Sequence, residues 1–178
     1  MGALLVLALA ALFGAGDQYL GSMSWIPWAA DVSLLSAPWL VLAFVAGWTQ
    51  SGARRAALLG FGCTACAFAA YGVMTLSPLE NAQLTSTTAV GFLHSEARVL
   101  VGGVLTGPLF GWFGQQWRTR RAWLGAIVTA GAVILEPLAR IPAGREIRFR
   151  TVWIAEVAVG VAMAGYVAVA RTRVARSR

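Results

Sequence analysis

Hydrophobic positions along this chain come in long unbroken runs, and polar residues gather in short breaks between them. Unbroken apolar runs of about 20 residues mark helices that cross a membrane, whereas outer-membrane strands alternate. The pattern predicts an all-α polytopic membrane protein. Its form is a compact bundle of about six transmembrane helices in one domain, residues 1–178. The spans are read as 2–20, 28–50, 56–76, 98–117, 122–138 and 151–170. The second needs an argument, because its cleanly apolar part covers only 36–50. Either it starts near Trp28 and kinks at Pro38, or "SWIPWAADVSLL" forms a short interfacial or re-entrant helix of its own.

Composition supports the membrane reading. The chain is 58% hydrophobic and 12% charged, about half the charge a soluble domain carries. All 14 basic residues are Arg and the net charge is +7. A basic balance raises nucleic acid as a partner. The arginines argue against it, because they sit at the ends of apolar segments where orientation signals belong. Arg54 and Arg55, then Arg118, Arg120 and Arg121, then Arg171, Arg173, Arg176 and Arg178 form three clusters. Six spans put all three on one side, which the positive-inside rule makes cytoplasmic, with both termini. The localisation expected is a bacterial inner membrane. "ARIPAGREIRFR" (139–150) breaks the rule, with Arg140, Arg145, Arg148 and Arg150 on the outer side. No basic n-region opens the chain and further spans follow, so no cleavable signal is expected.

Under that topology every acid falls in the outer half: Asp17, Asp31, Glu80, Glu96, Glu136, Glu146 and Glu156. Ionisable groups at membrane depth are costly and face a cavity or a partner. The arrangement predicts an outer pocket with an apolar floor and a mouth of Asp17, Asp31, Glu96, Arg98, Glu136 and Glu156. Asp17, Glu80 and Glu146 also read simply as solvated loop residues. Glu156 shares a helix stripe with Trp153 and Gly160, and Glu136 precedes Pro137; these two acids carry the functional reading. In "HSEARVLVGG" (94–103), a helix starting near Ser95 puts His94 and Arg98 four apart on one face. Arg98 is then placed to pair with Asp17, Asp31 or Glu156, as structure or as chemistry. Aromatic residues are 11% of the chain. Many lie in the outer half, where they suit an interfacial belt; Trp28, Trp39, Tyr71, Phe92 and Trp153 are the candidates for lining the pocket, with Tyr19 nearby.

Other features have plain explanations. Gly103, Gly107 and Gly111 make a ladder for close helix packing, and Pro108 is expected to bend that helix. Ala10, Ala11, Gly14 and Ala15 give span one a small-residue face, to pack internally or to dock a membrane partner. Cys63 and Cys66 sit in an apolar span and read as packing residues, not as a metal or redox pair. Nucleotide, zinc-protease, nucleophile-elbow and aspartate-rich diphosphate motifs do not occur, so no metal and no cofactor is expected.

Two functions fit. The first is an enzyme: an acid in an apolar pocket protonates an epoxide or alkene, and aromatic faces stabilise the carbocation as a polyene cyclises. "GDQYLGS" (16–22) and "HSEARVLVGGVLTGPLFGWFGQQWR" (94–118) resemble the small actinobacterial integral-membrane proteins that include the membrane-bound terpene cyclases of indole sesquiterpenoid pathways. The resemblance runs over most of the chain. It implies cyclisation of a farnesyl chain, often epoxidised and attached to an indole, with Tyr19, Arg98 and the buried acids as the positions carried over. The second function is the substrate-capture subunit of an energy-coupling-factor vitamin transporter, which needs a pocket rich in hydrogen-bonding groups. A structural protein without a small ligand is a third. The scarcity of Asn, Gln and Ser in the spans and the aromatic load favour the cyclase, with a lipid-like isoprenoid substrate.

Overall fold

The computed structural model describes residues 2–120, 122–141 and 148–176, the side chains of 120 and 173–176 excepted. Arg121, Arg145, Glu146 and Arg178 lie outside the described residues, as do the side chains of Arg120, Arg173 and Arg176.

Eight α-helices follow one another: α1 (Ala3–Ser22), α2 (Ala29–Ser33), α3 (Ala37–Trp48), α4 (Ala53–Thr75), α5 (Ser86–Ser95), α6 (Ala97–Arg120), α7 (Trp123–Arg140) and α8 (Arg150–Arg176). Among the described residues there is no strand. Five helices, α1, α4, α6, α7 and α8, are long and apolar enough to cross a membrane.

Of the two readings of 28–50, one helix kinked at Pro38 is not formed, and a short helix of its own within 24–35 is. The stretch divides into α2, five residues, and α3, twelve residues. The cause is local. Pro38 has no N–H to donate to the Leu34 carbonyl, and its ring would collide with that carbonyl in a continuous helix. The chain therefore stops at Ser33 and restarts at Ala37, with Pro38 in the first turn where proline is tolerated. A helix at 86–95 was not foreseen; Thr85 and Thr88 cap its start reciprocally. Its end separates His94 from Arg98, because Glu96 closes α5 and Ala97 opens α6. The shared face expected of those two residues is therefore not formed.

Small residues set the packing. A Cβ on Gly107 would fall 2.4 Å from the Thr64 hydroxyl, and one on Gly111 2.4 Å from the Ala56 carbonyl oxygen. Two rungs of the predicted ladder thus bring α6 onto α4; the third, Gly103, is looser, with its nearest neighbour at 3.9 Å. Despite Pro108, α6 is one helix in sequence. On α1, Ala10 is fully buried and Gly14 lies against the Ala67 carbonyl. That part of the small-residue face is covered by α4 and offers no docking surface to a partner. Helices α1, α3, α4 and α6 form a tight body, α7 and α8 pair with each other, and the pair meets the body through α6 and α3.

Chain reversal between successive helices gives the bundle two unlike ends. Arg54 and Arg55 open α4, and Arg118 and Arg171 lie near the ends of α6 and α8. At this basic end Arg118 donates to the carbonyls of Trp48 (3.2 Å) and Thr49 (2.8 Å), satisfying the last turn of α3. Asp17, Asp31, Glu80, Glu96, Glu136 and Glu156 belong to the opposite half.

Candidate functional site

Breaking a helix leaves backbone groups without partners, and at membrane depth no water satisfies them. The break at Pro38 orphans the Leu34 carbonyl and the N–H groups of Ser36 and Ala37. Two side chains on α7, about a hundred positions away in sequence, complete them. The Glu136 carboxylate accepts from Ser36 N–H at 2.6 Å and from Ala37 N–H at 2.7 Å. Arg140, one turn further along α7, donates through Nη2 to the Leu34 carbonyl and to Ser36 Oγ. The two are paired with each other: Arg140 Nη2 lies 2.7 Å and Nε 3.1 Å from Glu136 Oε1. Both side chains are 9% exposed. A negative group at the start of α3 also matches the positive end of its dipole.

A second polar tie lies beside it. Asp31, 3% exposed on α2, accepts from Phe149 N–H at 2.8 Å, the residue before α8. Helix α2 is thereby fastened to the start of α8, as α3 is to the end of α7.

Between these fastened elements lies a cavity of about 570 Å³. Trp28, Val32, Leu35, Ala37, Pro38 and Val41 wall one side, and Val133, Thr151, Val152, Ala155, Glu156 and Val159 the other. Among the described residues of its walls, Thr151 and Glu156 bring polar side chains, besides the Trp28 indole. Glu156 is 5% exposed. Its carboxyl lies against that of Glu136, and among the described residues no N–H or O–H reaches its oxygens. Contact between two carboxyls is a hydrogen bond only when one of them holds a proton. Behind Glu156, Arg140 stacks over the Trp153 ring at 5.2 Å from guanidinium carbon to centroid. Arg140 Nη1 and Trp153 Nε1 are buried there without a hydrogen-bond partner among the described residues.

The predicted site residues divide into three groups. Asp31, Glu136, Trp153 and Glu156 come together, and Trp28 lines the cavity. The stripe of Trp153, Glu156 and Gly160 is buried as read: a Cβ on Gly160 would fall 2.6 Å from Ile134 Cγ1, which is how α8 closes on α7.

Asp17, Trp39, Tyr71 and Phe92 occupy the same end but another flank. Trp39 meets Phe13 edge-on at 5.4 Å and Tyr71 at 6.2 Å, and Tyr71 meets Phe92 at 6.2 Å. Asp17 lies beside Trp39. These rings pack α1, α3, α4 and α5 together instead of walling the cavity, because α3 lies between the two flanks.

Tyr19, His94 and Arg98 are exposed and are not among the walls of this cavity. Arg98 pairs with none of the three acids proposed for it; the ion pair among the described residues is Arg140 with Glu136. Arg140, one of the arginines that break the positive-inside rule, ends α7 and is the cation of the site. Its spacing of four from Glu136 was the available signal, since i, i+4 neighbours share a helix face. No cluster suited to a metal ion occurs among the described residues.

Residues 2–178 match DUF6518, a family of unknown function, and the chain belongs to that family. No curated protein matches the chain. No solved structure matches it either.

Proposed function

For this member of the DUF6518 family, we propose a multi-pass membrane enzyme that cyclises an isoprenoid chain by proton transfer from Glu156. The carrying observation is a buried carboxyl, to which no described residue brings a donor, in the wall of an apolar cavity. Glu136 already accepts from four N–H groups, two of the backbone and two of Arg140. Three of these reach Oε1 and one reaches Oε2, so Oε2 keeps an acceptor site, and the proton of the pair is read on Glu156, with its O–H directed to Glu136 or to a ligand. Protonation of an alkene or epoxide by Glu156 makes the chain electrophilic. Its own double bonds then attack to close rings, and the cyclised cation loses a proton that returns to the Glu156 carboxylate, so an alkene is formed and the acid restored. Trp28 supplies an aromatic wall for the cationic intermediate. Arg140 positions Glu136, and through it Glu156.

This reading places residues 29–48 as a broken sixth crossing, with the arginine-rich end and both termini in the cytoplasm and the carboxylates outward. A vitamin-capture pocket needs many hydrogen-bonding groups, and two polar residues among the cavity walls do not supply them.

The test is incubation of membranes holding the wild-type chain or Glu156→Gln with farnesyl-type polyenes and their epoxides, with products separated by retention and mass. Cyclised product from the wild type alone is expected, with both proteins eluting as the same folded species. Equal turnover by Glu156→Gln removes Glu156 from the role, and absence of product from every substrate removes the reaction.

A further inference from the structure

We propose that the cavity is entered sideways from the hydrocarbon of the bilayer, through the gap between α3 and α8. Its occupant is the hydrocarbon chain of a bilayer-dissolved molecule. The inference rests on the reading above only for the choice of this cavity as the site.

The two ends of the cavity are unlike. Its acidic end is crossed by polar contacts on both sides: Asp31 holds α2 to the backbone of Phe149, and Glu136 with Arg140 holds the α2–α3 break to α7. Its flank has no such tie. Helices α3 and α8 wall the cavity from opposite sides yet have no extended packing against each other. Thr151, Ala155 and Val159 line the cavity and are also exposed on the outside of α8, so the hollow reaches the surface of the bundle.

The depth of that opening decides what meets it. From Thr151 to Val159 is about 12 Å along the helix axis, and Val159 lies about 14 Å in from Arg150. In a hydrocarbon layer about 30 Å thick, the deep end of the gap lies near the midplane. The flank there belongs to a helix of spanning length and apolarity. Water does not stand against such a surface; lipid chains do. The walls facing the gap, Val32, Leu35, Val41, Val133 and Val152, offer contact to hydrocarbon and no hydrogen bond. Of Thr151 and Glu156, the polar side chains in the cavity walls besides the Trp28 indole, the buried one is Glu156, whose oxygens have no partner among the described residues. A chain sliding in from lipid reaches that carboxyl without crossing the polar tie.

Fluorescence quenching separates the two routes. Bimane is attached at Val41→Cys, a half-buried cavity wall, in a Cys66→Ala background reconstituted into phosphatidylcholine vesicles. Ala155→Cys is a second position should the first not fold. Doxyl-labelled phosphatidylcholine is expected to remove most of the fluorescence, and aqueous iodide none. Farnesol added to the vesicles is expected to restore the signal at position 41 by displacing the doxyl chain. It is expected to leave unchanged a control bimane at Val101→Cys, exposed on α6 away from the cavity. Quenching by iodide, quenching by neither agent, or no relief by farnesol overturns the proposal. None of these readings requires turnover. A lipid-quenched, farnesol-relieved cavity without cyclised product sinks only the cyclase, and product from an iodide-quenched cavity sinks only the lateral route.

Discussion

Removing the carboxylate that closes the α2–α3 break is the sharpest test of how the site is held. In Glu136→Ala, two backbone N–H groups lose their acceptor and Arg140 loses its counter-ion. Two magnitudes compete. Interhelical hydrogen bonds in membrane proteins average only about 0.6 kcal/mol, because the unfolded chain in lipid finds other partners. Four such bonds amount to roughly 2.4 kcal/mol. A buried ion left without its partner costs about 3–5 kcal/mol. Arg140 is 8% exposed and keeps only the neutral Leu34 and Ser36 oxygens and the Trp153 ring, so the stranded charge outweighs the lost bonds. The expected loss is about 4 kcal/mol, at the middle of that range. At about 3 °C per kcal/mol for a chain of this length, the melting temperature falls by about 12 °C. The assay is thermal unfolding in mild detergent, run as a double-mutant cycle with Arg140→Met. Met keeps much of the stem that packs over Trp153 and removes the charge. If stranding the guanidinium is the dominant cost, the double variant recovers at least about 1.5 kcal/mol of the Glu136→Ala loss. Additive losses, or a Glu136→Ala shift of only about 2 °C, would refute the argument.

The remaining predictions concern packing and the neighbouring tie. Asp31→Asn keeps an acceptor for Phe149 N–H and should cost less than about 1 kcal/mol, whereas Asp31→Ala orphans that N–H and should cost about 1–3 kcal/mol, both read by the same melts. Gly111→Ala places a Cβ 2.4 Å from the Ala56 carbonyl oxygen and should destabilise by about 1–3 kcal/mol. Gly131→Ala on α7 meets nothing within 4 Å and should stabilise by about 0.5–1 kcal/mol. Trp28→Ala should weaken farnesol relief of quenching and leave the melting temperature within about 3 °C, since the ring is 46% exposed.

Several features of this protein are written in the chain itself. Membrane crossing is a one-dimensional property: a run either is or is not apolar enough to lie in hydrocarbon, and each helix satisfies its own backbone. The five long helices, the basic and acidic ends, and the Trp153, Glu156 and Gly160 stripe follow from such local arithmetic. The two close rungs at Gly107 and Gly111 follow in the same way. Tertiary structure decided the rest. Pro38 announces a break, but which side chains complete the orphaned Leu34, Ser36 and Ala37 depends on contacts across about a hundred residues. Nothing near Pro38 points to Glu136 and Arg140. Likewise, placing Trp39, Tyr71 and Phe92 at the acidic end does not say which flank they face, and α3 turns them away from the cavity. Rotation of a helix about its axis is set by what it packs on. A site made of one face from each of several helices therefore becomes readable only when the helices are assembled.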